Sequence, residues 1–250
     1  MACSDRPGPA EPLQSPLQGA LSPGLKSSTC LILIRHGHVA ANSGELNAPM
    51  AGWTDVPLSA WGRLEVEQLT QHLARGSRFD AIYSSPLSRA SDTARMLVAA
   101  GLGPLHLFAS LKEINCGEVD GLAIGEVQRR FPQLWRENCR QDREELRWPG
   151  GESYREFRNR CVAAMNSIAA AHPSGGVAVV THAGVISQII GSICAVSPAR
   201  WGLFRPSNAS LTELVWRGSS GVVVSFDWRP HLRDASKSFT FSTKMRRRAG

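Results

Sequence analysis

The sequence predicts an α/β fold, a mostly parallel sheet packed between helices. Two short apolar runs, CLILI at 30–34 and GVAVVT at 176–181, have the length and β-branched content of strands covered on both faces. Segments of helical period stand between such runs, so strands and helices alternate along the chain. The 250 residues, 42% of them hydrophobic, suffice for one large domain with a substantial core.

The elements follow in order. Residues 1–28 carry Pro7, Pro9, Pro12, Pro16 and Pro23 among Ser, Gly and Gln, show no apolar periodicity, and read as a disordered segment. The domain is expected over 29–230, opening with the first strand. Ser59 starts a helix that runs to Arg75. Residues 79–83 read as a strand, and SSPLSRASDTARML as the helix after it. There Ser85 is the cap, Pro86 the first helical position, and Ala90, Ala94 and Leu97 an apolar stripe, which puts Arg89 in the first turn. Residues 121–148 read as a charged helical cap. Ser153 and Glu156 form a capping box for a helix carrying Phe157, Cys161, Ala164 and Ile168 and ending before Pro173. LTELVW and VVVSFDW, joined through Gly and Ser, read as a hairpin at the C-terminal edge. Trp53, Trp61 and Trp148 are read as packing residues, with Trp148 beside GGES as a candidate for the pocket mouth.

Composition excludes several functions. The net charge is +7, but residues 231–250 carry +5 of it, so a solvated basic tail explains most of the charge and a nucleic-acid partner is not expected. No apolar stretch approaches the roughly 18–20 residues that span a bilayer, and the N-terminus lacks an apolar h-region. A cytoplasmic chain without a membrane partner is therefore expected. Cys3, Cys30, Cys116, Cys139, Cys161 and Cys194 lie without close pairs, which argues for reduced thiols and against a zinc knuckle or a disulfide framework.

The chemistry gathers at strand ends. In open α/β sheets ligands bind outside the carboxyl ends of the strands, where Arg35 and His36 follow CLILI and His182 follows GVAVVT. Arg89 belongs to the turn after the third strand and reaches the same edge. Two arginines and two histidines at three strand ends describe an anion site, and guanidinium forks suit a phosphoryl group. A histidine attacks phosphorus only through an unprotonated ring nitrogen, and a strand-end carbonyl accepting from the other nitrogen would fix that tautomer.

LIRHGHVAANSG, GWTDVPLSAWG, SSPLSRASDTA, LKEINCGEVDG, PGGESYREFRNR and VVTHAGVI resemble, in that order, the successive motifs of the histidine phosphatase superfamily, also called phosphoglycerate-mutase-like. The resemblance covers about residues 31–212. It implies a three-layer αβα fold and a phosphohistidine mechanism with no metal and no cofactor. His36 would be the nucleophile, with Arg35, Arg89 and His182 holding the transferring phosphoryl group and Glu113 as proton donor. Asn42, at the family's spacing from RHG, would add an amide donor to the phosphate or substrate, and the backbone N–H of Ala183 is a further phosphate contact.

Each role is consistent with elementary chemistry. Paired arginines and a histidine donor supply the charge neutralisation for which many phosphatases use a metal. Glu113, in a short loop after LHLF, can protonate the departing alkoxide if its pKa is raised, and then take a proton from the attacking water. Val39 stands where many relatives have Ser or Thr, and Ala183 where Gly is frequent. No role is assigned to His38.

The expected function is hydrolysis of a small phosphorylated metabolite, similar to the α-ribazole phosphatase and broad-specificity phosphatase branches. A cofactor-dependent mutase is the alternative, and the resemblance implies for such enzymes a longer insertion than the some 35 residues between Glu113 and Pro149. An inactive phosphate-binding module is the alternative of another class. The leaving group, whether α-ribazole, a sugar, serine or another, is not named by these residues, nor is the oligomeric state. Arg129, Arg130, Arg136 and Arg143 of the cap are read as facing water rather than a second substrate anion.

Overall fold

The computed structural model describes residues 28–232. The predicted N-terminal segment and basic tail lie outside the described residues, except for residues 28, 231 and 232. The chain forms one six-stranded sheet: β1 (Thr29–Arg35), β2 (Ala81–Ser84), β3 (Leu105–Leu107), β4 (Gly176–Thr181), β5 (Leu211–Arg217) and β6 (Ser220–Trp228), in the order 3-2-4-1-5-6. β3, β2, β4 and β1 run parallel to one another, while β5 and β6 form an antiparallel hairpin at the edge. The pairing Ile34↔Val180↔Ser84 aligns the carboxyl ends of β1, β4 and β2 at one level.

Alternation along the strands supplies two faces. Leu31, Leu33, Val177, Val179, Leu214 and Trp216 point to α5 (Tyr154–Ala171) and α6 (Ala183–Ile193). Ile34, Ile82, Ala178, Val180 and Leu211 point to α1 (Ala60–Leu73) and α2 (Ser88–Ala99). The result is the three-layer αβα sandwich. β1 and β4 have a helical layer on each face and a paired strand on each side, which accounts for their unbroken apolar sequences. Each fully buried Leu or Ile contributes about 1.5–3 kcal/mol of transfer free energy. Two of the predicted caps are present: Ser59 Oγ accepts from Gly62 N, and Ser153 and Glu156 form the reciprocal box, each side chain bonded to the other's backbone N–H.

The cap comprises α3 (Ile124–Arg130) and α4 (Pro132–Arg140), built on a separate small core of Cys116, Val119, Val127 and Trp148 with Met50 and Phe131. Residues 46–50 tie it to the sheet domain: Met50 N donates to Leu122 O and Gly121 N to Met50 O, both at 2.8 Å. Trp148 is buried against Phe131 in this small core, the packing role expected of it.

Two local expectations are corrected, and one strand is added. α2 begins at Ser88 with Leu87 at its N-cap, not at Pro86 with Ser85 capping: Leu87 is extended, so the bond from Leu87 N to Ser85 Oγ closes a turn ahead of the helix, and the same hydroxyl meets His182. α1 ends at Leu73, short of Arg75. β3 was not anticipated, since three residues are too few to show a period. The five cysteines among the described residues are free thiols.

Candidate active site

Arg35 is the last residue of β1, and His36 extends the ladder by donating its N–H to Thr181 O at 3.0 Å. β4 ends at Thr181, so His182 emerges beside it, and the two imidazoles stand 5.2 Å apart between ring centres. His36 Nδ1 lies 2.7 Å from Gly37 O. A carbonyl only accepts, so Nδ1 carries the proton and Nε2 keeps its lone pair. Burial, and then the nearby Arg35 and Arg89 charges, hold the His36 pKa well below the ordinary histidine value, which keeps the ring neutral. The backbone here is packed closely against α1: a Cβ on Gly37 would stand 2.5 Å from Gly62 O.

The guanidiniums are fixed by backbone carbonyls. Arg35 Nη1 donates to Pro206 O at 2.7 Å, while its Nε–H is buried with no hydrogen-bond partner among the described residues. Arg89, only 1% exposed, donates from Nη1 to Thr54 O at 2.9 Å and from Nη2 to Gly52 O at 2.7 Å. Its Nε donates to His182 Nδ1 at 3.2 Å. An arginine nitrogen only donates, so His182 holds its proton on Nε2, which lies 2.8 Å from Ser85 Oγ. Burial, followed by the Arg89 charge, lowers the His182 pKa well below its ordinary value. The loop that receives Arg89 is itself held by Asp120, which accepts from the N–H groups of Gly52, Trp53 and Thr54 at 3.1, 2.5 and 3.0 Å.

Glu113 follows a short 3-10 turn, Ala109–Leu111, and reaches the N-terminus of α6. Its Oε2 accepts from Gly184 N at 3.0 Å and its Oε1 from Ile114 N at 2.9 Å. Ala183 is the first residue of α6, where the N–H has no acceptor within the helix. Asn42 lies in the 3-10 turn Ala40–Ser43, and its Oδ1 accepts from Asn208 Nδ2 at 3.1 Å, so its own amide N–H groups are the remaining donors. Asn208 Nδ2 also donates to His36 O at 3.1 Å.

The profile of the histidine phosphatase superfamily (branch 1) matches residues 31–229. The chain belongs to the histidine phosphatase superfamily. Among curated relatives it is 30% identical to a metal-independent phosphoserine phosphatase of Arabidopsis thaliana, over 82% of this chain and 83% of that one. It is 30% identical to the phosphoglycerate mutase-like protein 4 of the same plant, over 64% of this chain and 68% of that one. Among solved structures, Bacillus stearothermophilus YhfR superposes with a TM-score of 0.74 at 26% identity, covering 82% of this chain and 99% of that one. A phosphoserine phosphatase of Entamoeba histolytica, solved with phosphoserine, gives 0.70 at 26% identity over 82% and 99%.

Within this histidine phosphatase fold, the residues singled out from sequence converge on one end of the sheet: Arg35, His36 and His182 at strand ends, Arg89 bonded to His182, and Glu113, in its loop, bonded to the first turn of the helix that follows His182. His38 faces the other way. Its Nδ1 lies 2.9 Å from Ser59 Oγ and its N–H donates to Glu65 Oε2 at 2.8 Å, so it anchors the start of α1. Val39 packs against Leu58 and Val66, an apolar contact that a hydroxyl would spoil. Arg129, Arg130, Arg136 and Arg143 are exposed, with Arg130 and Arg143 paired to Glu126 and Glu137. Trp61 and Trp53 are about half exposed, and each uses its indole N–H, on Glu65 and on Glu113 O respectively. Sequence reasoning missed Ser85, Asp120 and Asn208. Ser85 and Asp120 lie inside the quoted motifs, but nothing in their spacing tells which backbone or ring atoms they meet.

Proposed function

We propose that this histidine phosphatase hydrolyses a small phosphomonoester through a phosphohistidine on His36. One observation carries the reading: a buried neutral imidazole, its Nδ1–H held by Gly37 O, stands near the buried guanidinium of Arg89 and the part-buried one of Arg35, whose buried Nε–H has no partner among the described residues. A buried donor in that condition is satisfied by an anion.

In the first step the Nε2 lone pair forms the N–P bond as the P–O bond to the leaving group breaks, and Glu113 gives its proton to the departing oxygen. Each Glu113 oxygen accepts a single backbone N–H, so each keeps a lone pair for that proton. In the second step water loses a proton to Glu113 and attacks phosphorus, the N–P bond breaks and phosphate leaves. Arg35 and Arg89 neutralise the equatorial oxygens throughout, and His182 exchanges Ser85 for a phosphoryl oxygen as acceptor of its Nε2–H. The arginines supply the positive charge, so the reaction needs neither metal nor cofactor.

The names of relatives make phosphoserine the first substrate to test, ahead of α-ribazole phosphate and sugar phosphates. The small cap favours hydrolysis over mutase chemistry, because a mutase must keep water from the phosphohistidine and α3 and α4 have only 7 and 9 residues. The test is a screen of the purified enzyme against a panel of phosphomonoesters, including 3-phosphoglycerate with its bisphosphate cofactor. Release of phosphate is expected. Interconversion of phosphoglycerates without release would establish a mutase, and phosphate affinity without turnover a binding module.

A further inference from the structure

The PGGESYREFRNR motif has no part in the chemistry above, yet two of its side chains enclose the loop that carries Glu113. Arg160 donates from Nη1 to Ser110 O at 2.9 Å and to Lys112 O at 2.8 Å, and from Nη2 to Glu113 O at 3.1 Å. The same guanidinium is ion-paired with Glu152, whose Oε1 accepts from Asn115 N at 2.8 Å. Carbonyls on one side of Glu113 and an amide on the other are thus tied to one ion pair. Trp53 Nε1 adds a bond to Glu113 O at 2.8 Å, and Thr181 Oγ1, next to His182, holds Leu111 O at 2.8 Å.

We propose that the Arg160–Glu152 pair is a positioning device for the proton donor, setting the Glu113 carboxyl against the N-terminus of α6 and the reacting phosphoryl group. The inference rests on Glu113 acting as the general acid. Both partners are largely buried, with side chains 21% and 16% exposed, so the pair is more than a screened surface contact. Neither partner is within the reacting set; both act through the backbone of residues 110–115. A loop without these bonds would leave the carboxyl free to sample positions from which it cannot reach the leaving oxygen, while the nucleophile and both phosphate-binding arginines stay in place on β1 and α2.

The test uses Glu152→Gln, which preserves shape and an acceptor for Asn115 N, and Arg160→Lys, which preserves the charge but not the fork of donors. Single-turnover phosphorylation of His36 is measured with an alkyl phosphate, whose leaving group needs a proton, and with p-nitrophenyl phosphate, whose leaving group does not. Each variant should slow the alkyl substrate by about 10-fold or more and p-nitrophenyl phosphate by less than about 2-fold. Added to Glu113→Gln, neither should slow the alkyl substrate further. Equal slowing of both substrates, or losses that multiply on the Glu113→Gln background, would reduce the pair to a scaffold and overturn the proposal. A Glu113→Gln enzyme that slows both substrates equally would instead remove the proton-donor reading itself, whatever the pair variants do.

Discussion

Replacing Gly184 by alanine should separate catalysis from stability. Gly184 is the second residue of α6, and its φ lies outside the left-handed range, so alanine fits the backbone and gains up to about 1 kcal/mol in helix propensity and unfolded-state entropy. The added methyl would lie 2.1 Å from Glu113 Oε1, where ordinary contact begins at 3.4 Å, a shortfall of 1.3 Å. Glu113 presents the end of a flexible side chain there, so the carboxylate moves and the helix does not. A reacting group misplaced by about 1 Å costs on the order of 10²-fold in rate. The assay pairs kcat/KM for an alkyl phosphomonoester with urea denaturation. A fall of about 10²-fold with an unchanged or raised unfolding midpoint is expected, and a smaller fall with p-nitrophenyl phosphate, whose leaving group departs without a proton. Undiminished turnover of the alkyl substrate would refute the placement of Glu113 as acid. A loss of more than about 1 kcal/mol in stability would refute the account of where the methyl goes.

Four further outcomes are expected. His36→Ala should fold and lose all but about 1% of turnover, and wild type quenched during turnover should carry an acid-labile, base-stable phosphoryl label on His36; a higher residual rate points to another nucleophile. Dialysis against EDTA should leave activity intact, because Arg35 and Arg89 supply the charge a metal would; loss restored by one divalent ion contradicts this. The folded-state pKa values of His36 and His182 lie below the unfolded value, so the stability of these neutral rings is present above about pH 6.5. It should decline at lower pH, by up to about 1.4 kcal/mol per pH unit for each ring, and urea midpoints that stay flat from pH 7.5 to about 5 would contradict the lowered values. Asp120→Ala removes the acceptor of three backbone N–H groups in the loop that grips Arg89, and should weaken inhibition by inorganic phosphate about tenfold, with unchanged inhibition counting against the relay.

The layers of this fold were legible where burial imposed a simple pattern. β1 and β4 have helices on both faces, so their sequences are unbroken apolar runs, and α5 begins at a capping box whose two side chains do what the spacing predicts. β3 was illegible because Leu105–Leu107 is held by pairing with β2 rather than by a period of its own. The start of α2 was misplaced because Ser85 has the chemistry of a cap but uses it in a turn before the helix, where its hydroxyl also meets a histidine almost a hundred residues later. The same limit applies at the site. Charged residues at strand ends announce an anion, so Arg35, His36, Arg89 and His182 could be read together. The groups that orient them act on backbone carbonyls and amides, as Asp120, Arg160 and Asn208 do, and a main-chain partner leaves no trace in the side-chain pattern.

In the sheet, β4 lies between β1 and β2, although the chain makes it last of the three. β1, which delivers the nucleophile, and β2, which leads into the helix of Arg89, have no hydrogen bonds to each other and are joined only when Gly176–Thr181 slots in between. The strand that completes the sheet also brings His182 to its place. Every residue of the site up to Glu113 is made early in synthesis, but no arrangement of them resembles the finished centre until that late insertion. Loop closure over such separations is slow, so activity should be among the last properties a refolding chain recovers. A chain severed between α5 and β4 yields two pieces, one with His36 and Glu113, the other with the strand that sets their elements side by side, and neither piece alone should turn over substrate.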